Sequence, residues 1–249
     1  MKVITVTNSK GGVFNTATVV SLGHWFAKQG FPTIIEDLDW QADASKSLDV
    51  EPGKAAALYL DGGELCLVKT SRHSLSVLAG NGTLEKFEKV LSSRLDMDED
   101  ALERTAKRMR DVAVADRGII LIDTAKKGLI RQAAVTAANV VVIPSQVDYN
   151  SASNTISTVA AVRSWNACAR IVVLPVGLDN RQARFNDEAI SMLSQSVACE
   201  VYRAGIPHSA AIKRCGWNGK TVWEDGQYEA VANAYADFGS RLMEGERNA

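Results

Sequence analysis

Four runs of this chain are apolar at almost every position: "KVITVT" (2–7), "RGIILIDT" (117–124), "NVVVIPS" (139–145) and "ARIVVLPVG" (169–177). A strand with one wet face alternates apolar and polar residues; these do not, so they read as strands buried on both faces. That burial is the condition of a parallel sheet covered by helices. Between them lie stretches with helical spacing. "TATVVSLGHWFAKQG" (16–30) ends on Gly30, a residue suited to a helix stop, and "DEDALERTAKRMRDVAVAD" (98–116) is strongly amphipathic. Residues 129–138, 151–165, 185–196 and the tail 222–244 also read as helices. In the tail, Val231, Tyr235, Phe238 and Leu242 recur on one face, which predicts that this face packs on the body. The runs 32–39 and 74–80 read as further strands, and 199–204 as an edge strand. The pattern predicts an α/β fold, a doubly wound and mostly parallel sheet with helices on both faces.

With 249 residues and neither repeat nor linker, residues 1–249 are expected to form a single domain. The net charge is −1, so no global basic field draws in nucleic acid. DNA contact would need a local patch; Lys213, Arg214 and Lys220, with Trp217 nearby, form a small basic group that reads as a solvated helix face and turn or as a non-specific phosphate contact. The cysteines, Cys66, Cys168, Cys199 and Cys215, form no C-x-x-C pair, which argues against a zinc site or an iron–sulfur cluster. His73 and His208 have no cysteine or histidine at metal spacing; His24, mid-helix beside Trp25, reads as a packing or surface residue and not a ligand. A reducing, cytoplasmic setting fits the cysteines. No segment approaches 18 apolar residues and the N-terminus does not resemble a signal peptide, so no membrane attachment is expected.

Sheets of this kind bind ligands beyond the carboxyl ends of their strands. Residues 7–17, 37–45, 123–128 and 144–150 fall at such ends and are expected to share one rim. The first, within "TNSKGGVFNTATVV" (7–20), has the outline of the phosphate-binding loop G-x-x-x-x-G-K-[ST]. Thr16 is in place, but Phe14 stands at the second glycine and Asn15 at the lysine.

Four blocks in order, "SKGGVFNTATVVSLGHWFAKQG", "IIEDLDWQADAS", "GIILIDTAKK" and "VVVIPSQVDY", resemble the ParA/MinD group of P-loop ATPases. The loop KGGxGK[ST] marks that group, and the second block is most similar to the ParA partition branch. The resemblance implies a P-loop NTPase-like fold holding ATP or ADP with Mg²⁺. It implies nucleotide contacts from Lys10, Gly11, Gly12, Val13, Phe14, Asn15, Thr16 and Ala17, and metal contacts from Thr16, Asp37 and Asp123. Lys10 matches the signature lysine that reaches a partner's nucleotide, and Asp39 the acid that positions the attacking water; these two are the implied catalytic residues. The family forms ATP-dependent dimers that bind DNA non-specifically, and a partner protein stimulates hydrolysis. A homodimer, a ParB-like adaptor or an active ParA relative, and nucleoid DNA are the implied partners.

The departures point to altered chemistry. Asn15 carries no charge and cannot reach where an ammonium would meet the β- and γ-phosphates. Phe14 must strain the loop, reshape it, or fill the phosphate space with its ring. Trp40 and Ala42 replace a proline and a glycine, Ala125, Lys126 and Lys127 replace P-P-S, and Glu36 replaces an apolar strand residue. The leading expectation is a ParA-like partition or cargo-positioning protein that is a pseudo-ATPase, with ATP binding and hydrolysis lost or strongly reduced, acting as scaffold, DNA-associated or regulatory factor. The alternative is a slow, active Mg-ATPase in which Lys10, Lys126 or Lys127 substitutes for the missing lysine. Trp40 reads equally as an interface anchor or a packing residue, and Trp40 with Phe14 could join two subunits without nucleotide. The acids Asp37, Asp39 and Asp123, lacking a lysine opposite, should repel one another, and a cation or raised pKa values would relieve them.

Overall fold

In the computed structural model, residues 1–59, 63–112, 117–209 and 211–244 are described, apart from the side chains of Tyr149, Ala211, Lys213 and Arg214. The chain begins with β1 (Lys2–Val6), α1 (Asn15–Lys28), β2 (Thr33–Leu38) and the short helices α2 (Asp43–Ser47) and α3 (Ala55–Tyr59). It continues with β3 (Leu67–Lys69), β4 (Leu75–Leu78), α4 (Thr83–Leu95), α5 (Ala101–Arg110), β5 (Ile119–Thr124) and α6 (Leu129–Ala137). Next come β6 (Val140–Gln146), α7 (Tyr149–Trp165), β7 (Arg170–Leu178), α8 (Ala183–Ser196) and β8 (Glu200–Val201). The last elements are β9 (Ile206–Pro207), α9 (Ala211–Trp217) and α10 (Glu229–Glu244).

The strands form one sheet in the order β3-β4-β2-β5-β1-β6-β7-β8, with β9 also paired to β7. Every pairing is parallel except β3 with β4. Successive side chains of a strand point to opposite faces. Accordingly β1 sends Ile4 and Val6 into a core shared with α1 and α10, and Val3 into a second core under α4, α5 and α6. A third cluster joins Val141 and Ile143 of β6 to Val162 of α7 and Leu193 of α8. Both faces are therefore covered, as the apolar runs require. Val231, Tyr235, Phe238 and Leu242 are all buried, as the tail's periodicity predicts.

Some boundaries differ. The expected helix 98–116 is α5 over Ala101–Arg110, and residues 113–116 lie outside the described residues. The tail helix starts at Glu229, not 222, because the Asp225 carboxylate accepts from Gln227 N and caps a short 3₁₀ turn ahead of it. The expected strand 199–204 shrinks to β8, and β9 takes up the pairing with β7 further on. Residues 83–95, assigned no element from sequence, form α4, which buries Leu84, Phe87 and Leu91. The edge strand β3 is likewise an addition.

Candidate functional site

The strand ends meet on one rim, as expected. The loop after β1 has Gly12 at φ 75° and Phe14 at φ 64°, ψ 28°. Phe14 thus takes the left-handed conformation a glycine would supply, at a cost of about 1–2 kcal/mol for a residue with a Cβ. Its ring is partly buried against the core under α1 and directed toward Gly177. Of the three expectations for Phe14, a strained loop is the one observed, and the ring packs on the core. Ala42, the other residue at an expected glycine, behaves the same way, with φ 54° and almost complete burial.

Asn15 opens α1. Its Oδ1 is buried without a hydrogen-bond partner. Lys10 N donates to Asn8 Oδ1 (3.0 Å) and Thr18 N to Phe14 O (2.9 Å). Between them, the backbone N–H groups of 11–17 have no protein acceptor among the described residues. A loop of free N–H groups leading into a helix N-terminus is a ready anion cradle.

Beside it stand the acids. Asp37 and Asp123 are direct register partners on β2 and β5 and point to the face that carries α1. Thr16 Oγ1 donates to Asp123 Oδ2 (2.8 Å). Asp37 Oδ2 accepts from Ser45 N (2.8 Å) and Ser45 Oγ (2.6 Å), while Asp37 Oδ1 is buried and unpartnered. Burial pushes the Asp37 carboxyl up to about 6, against the pull of the Ser45 bonds. Burial, then the Asp37 charge, raises Asp123 well above the carboxylate range. Asp37 and Asp123 are thus shifted in the expected direction, with burial and not mutual repulsion as the larger cause. No three His, Cys, Asp or Glu side chains form a closed metal cage among the described residues. Two buried carboxyls, one with an orphan oxygen, and a threonine hydroxyl suit a hard cation that completes its shell with water and phosphate, as Mg²⁺ does. Asp39 lies just past β2, where its Oδ1 accepts from Gln41 N (3.0 Å).

The three lysines considered as substitutes fare differently. Lys10 turns back onto its own chain: Nζ donates to Ser151 Oγ (2.6 Å) and reaches Asp148 Oδ2 at 3.5 Å. Asp148 caps α7 by accepting from Ser151 N. Burial alone would raise the Asp148 carboxyl, but the Ser151 bonds and the Lys10 charge outweigh it and hold it below the ordinary range. Lys126 lies over the phosphate loop, where a Cβ on Gly11 would overlap its Nζ and Cε. Lys127 is exposed.

Arg131, which sequence alone did not single out, is buried at this rim. Its Nε donates to Thr7 Oγ1 (2.8 Å), its Nη1 to Lys126 O (3.1 Å), and its guanidinium lies 5.3 Å from the Trp165 ring centre. Burial lowers its pKa. Glu88 of α4 closes the same segment from the other side, accepting from Leu129 N and from Ile130 N (3.0 Å) at the start of α6. Neither residue carries a motif; only the path of α4 and α6 brings them here. Elsewhere, Trp40 packs partly buried on the second core. Lys220 is exposed and Trp217 is 91% exposed, whereas the Lys213 and Arg214 side chains lie outside the described residues. His24 is a packing residue, with Nδ1 2.6 Å from Thr221 Oγ1 and its pKa lowered by burial to about 4.

Residues 1–166 match the family model described as an AAA domain (AAA_31). The chain belongs to the ParA/MinD family of P-loop ATPases. Among curated members of that family, the sporulation initiation inhibitor protein Soj of Bacillus subtilis is 28% identical, over 97% of this chain and 98% of its own length. The chromosome partitioning protein ParA of Caulobacter vibrioides is 24% identical, over 100% and 96%. Among solved structures, the cobyrinic acid a,c-diamide synthase of Mycobacterium smegmatis with bound ATP analog and magnesium superposes with a TM-score of 0.80. It is 25% identical, over 100% of this chain and 96% of that one. The family assignment rests on the model match over residues 1–166, and the doubly wound sheet agrees with it.

Proposed function

We propose that this chain, acting as one domain, is a ParA-type partition or cargo-positioning protein in which ATP hydrolysis is strongly reduced. The observation that carries this reading is Asn15. It occupies the position of the phosphate-loop lysine, has no charge, and holds a buried acceptor with no partner. Phosphoryl transfer is catalysed almost entirely by positioned charge. Removing one such charge typically lowers the rate by about 10²–10³-fold. The roles of Lys10 and Asp39 in catalysis, and of Thr16, Asp37 and Asp123 toward Mg²⁺, belong to the same reading. Support comes from partitioning relatives, from a solved homologue that binds an ATP analog with magnesium, and from oxygen ligands suited to that ion. Dimerisation, a ParB-like adaptor, non-specific DNA contact through Lys220 and its neighbours, and a cytoplasmic, nucleoid-associated location follow from it. Steady-state ATP turnover, measured with and without DNA and a cognate adaptor, tests the reading. Turnover is expected at least about 10²-fold below that of the Asn15→Lys variant. Equal rates for the two proteins would refute it.

A further inference from the structure

The loop lacks its lysine, yet a different lysine lies on it. The distal atoms of Lys126 rest against Gly11, so closely that a Cβ there would overlap Nζ and Cε. In this rotamer the lysine tip occupies the space that a Cβ at Gly11 would take. Gly11 does not need its freedom for a left-handed backbone; among the loop glycines only Gly12 has positive φ. Lys126 Nζ has no carboxylate or other acceptor among the described residues, whereas Lys10 is engaged by Ser151 and Asp148. The segment that carries Lys126 is anchored at both ends. Arg131 holds the Lys126 carbonyl and also Thr7, the first residue of the loop, and Thr124 Oγ1 donates to the same Thr7 hydroxyl (3.0 Å). Glu88 fixes Leu129 and Ile130. The backbone of residues 126–130 is thus fixed, and from it the exposed Lys126 side chain extends over the loop, its ammonium without an acceptor among the described residues.

We propose that Lys126 supplies the phosphate-holding charge that Asn15 lacks, so that the chain binds a nucleoside triphosphate through a cation donated by the segment after β5. This rests on reading the loop as a nucleotide site, and it deepens that reading by separating binding from hydrolysis. Lys126 approaches from the β5 side, not from the first turn of α1. It therefore grips phosphate oxygens without following the path of the missing lysine. Arg131 and Glu88 act as positioning residues through the backbone of residues 126–130.

Isothermal titration calorimetry of the full chain with MgATP and MgADP tests this. Far-UV circular dichroism and the melting midpoint serve as folding checks. Lys126→Met keeps length and removes charge; it should weaken MgATP binding about tenfold or more, the effect of one lost charge-assisted hydrogen bond. Lys127→Met should stay within about twofold, since the atoms that lie against Gly11 belong to Lys126 and a more distant exposed charge is screened. Lys126→Arg should retain most of the affinity, and adding Asn15→Lys to Lys126→Met should restore it. The proposal is overturned if the wild-type chain binds no MgATP at millimolar concentration, if Lys126→Met leaves affinity unchanged, or if Lys127→Met loses as much as Lys126→Met. Turnover is read separately: rapid hydrolysis sinks the proposed function, and the ranking of affinities decides Lys126 by itself.

Discussion

Glu36 sits in the middle of β2, fully buried, and turns toward the second core beside Ile34, Leu38 and Tyr59. Its Oε2 accepts from Tyr59 Oη (2.6 Å), and its Oε1 is buried with no partner. Burial raises its pKa from 4.5 to about 8, against the pull of the tyrosine bond. The folded chain therefore keeps a proton on Glu36 between pH 4.5 and about 8, while the unfolded chain gives it up. The native state binds more protons in that window, so this residue's contribution to stability falls as pH rises, and it levels off above the folded pKa. The slope is at most ~1.4 kcal/mol per pH unit. Across the window the total is on the order of several kcal/mol. Glu36→Gln cannot ionise and keeps a carbonyl for Tyr59, so its stability lacks this slope. Its amide nitrogen inherits the orphan position of Oε1, which shifts the variant by a constant independent of pH. Urea unfolding of both proteins at pH 5, 6, 7 and 8 isolates the effect in the difference between the curves, because the titrations of Asp37, Asp123 and His24 are common to both. The wild type should lose ground to the variant steadily from pH 5 to 8. Parallel stability–pH curves would refute the assignment of a neutral Glu36 to the folded state.

Two further outcomes can be checked by denaturation. Ala42→Gly should raise stability by about 0.5–1 kcal/mol, the relief of a left-handed alanine less the extra chain entropy of glycine; a loss would show that its buried methyl group matters more. Arg72→Ala should cost about 3 kcal/mol or more, because Arg72 is buried and joins the Leu48 and Gly219 carbonyls to Glu224. A loss below 1 kcal/mol would show that the neighbouring groups rehydrate freely.

Much of this architecture was legible because burial on both faces leaves a direct mark on composition. The central strands β1, β5, β6 and β7 could be found as unbroken Val/Ile/Leu runs, and the rim followed from their carboxyl ends. What escaped was amphipathic, short or at an edge. The helix α4 buries only Leu84, Phe87 and Leu91 among charged residues, and β3 gains its conformation from pairing with β4. In the site, Asp37, Asp123 and Thr16 could be placed from motif spacing. Their burial and the resulting pKa shifts depend on register between β2 and β5, which no local stretch encodes. The left-handed conformations at Phe14 and Ala42 show a backbone that keeps its path where the residue type no longer favours it. Arg131 and Glu88 were invisible for a different reason: each acts on a segment distant in sequence through one or two polar contacts.

The engagement of Lys10 has its own consequence. The Lys10 side chain is 30% exposed and that of Asp148 48% exposed, so their attraction is heavily screened, and the Ser151 hydroxyl adds one neutral acceptor. Such an arrangement is worth roughly 1 kcal/mol. It behaves as a light latch: thermal motion opens it often, and a more strongly charged anion arriving from outside the chain can draw the lysine outward. Asp148 keeps its bond to Ser151 N when that happens, so α7 retains its cap and the swing leaves the scaffold undisturbed.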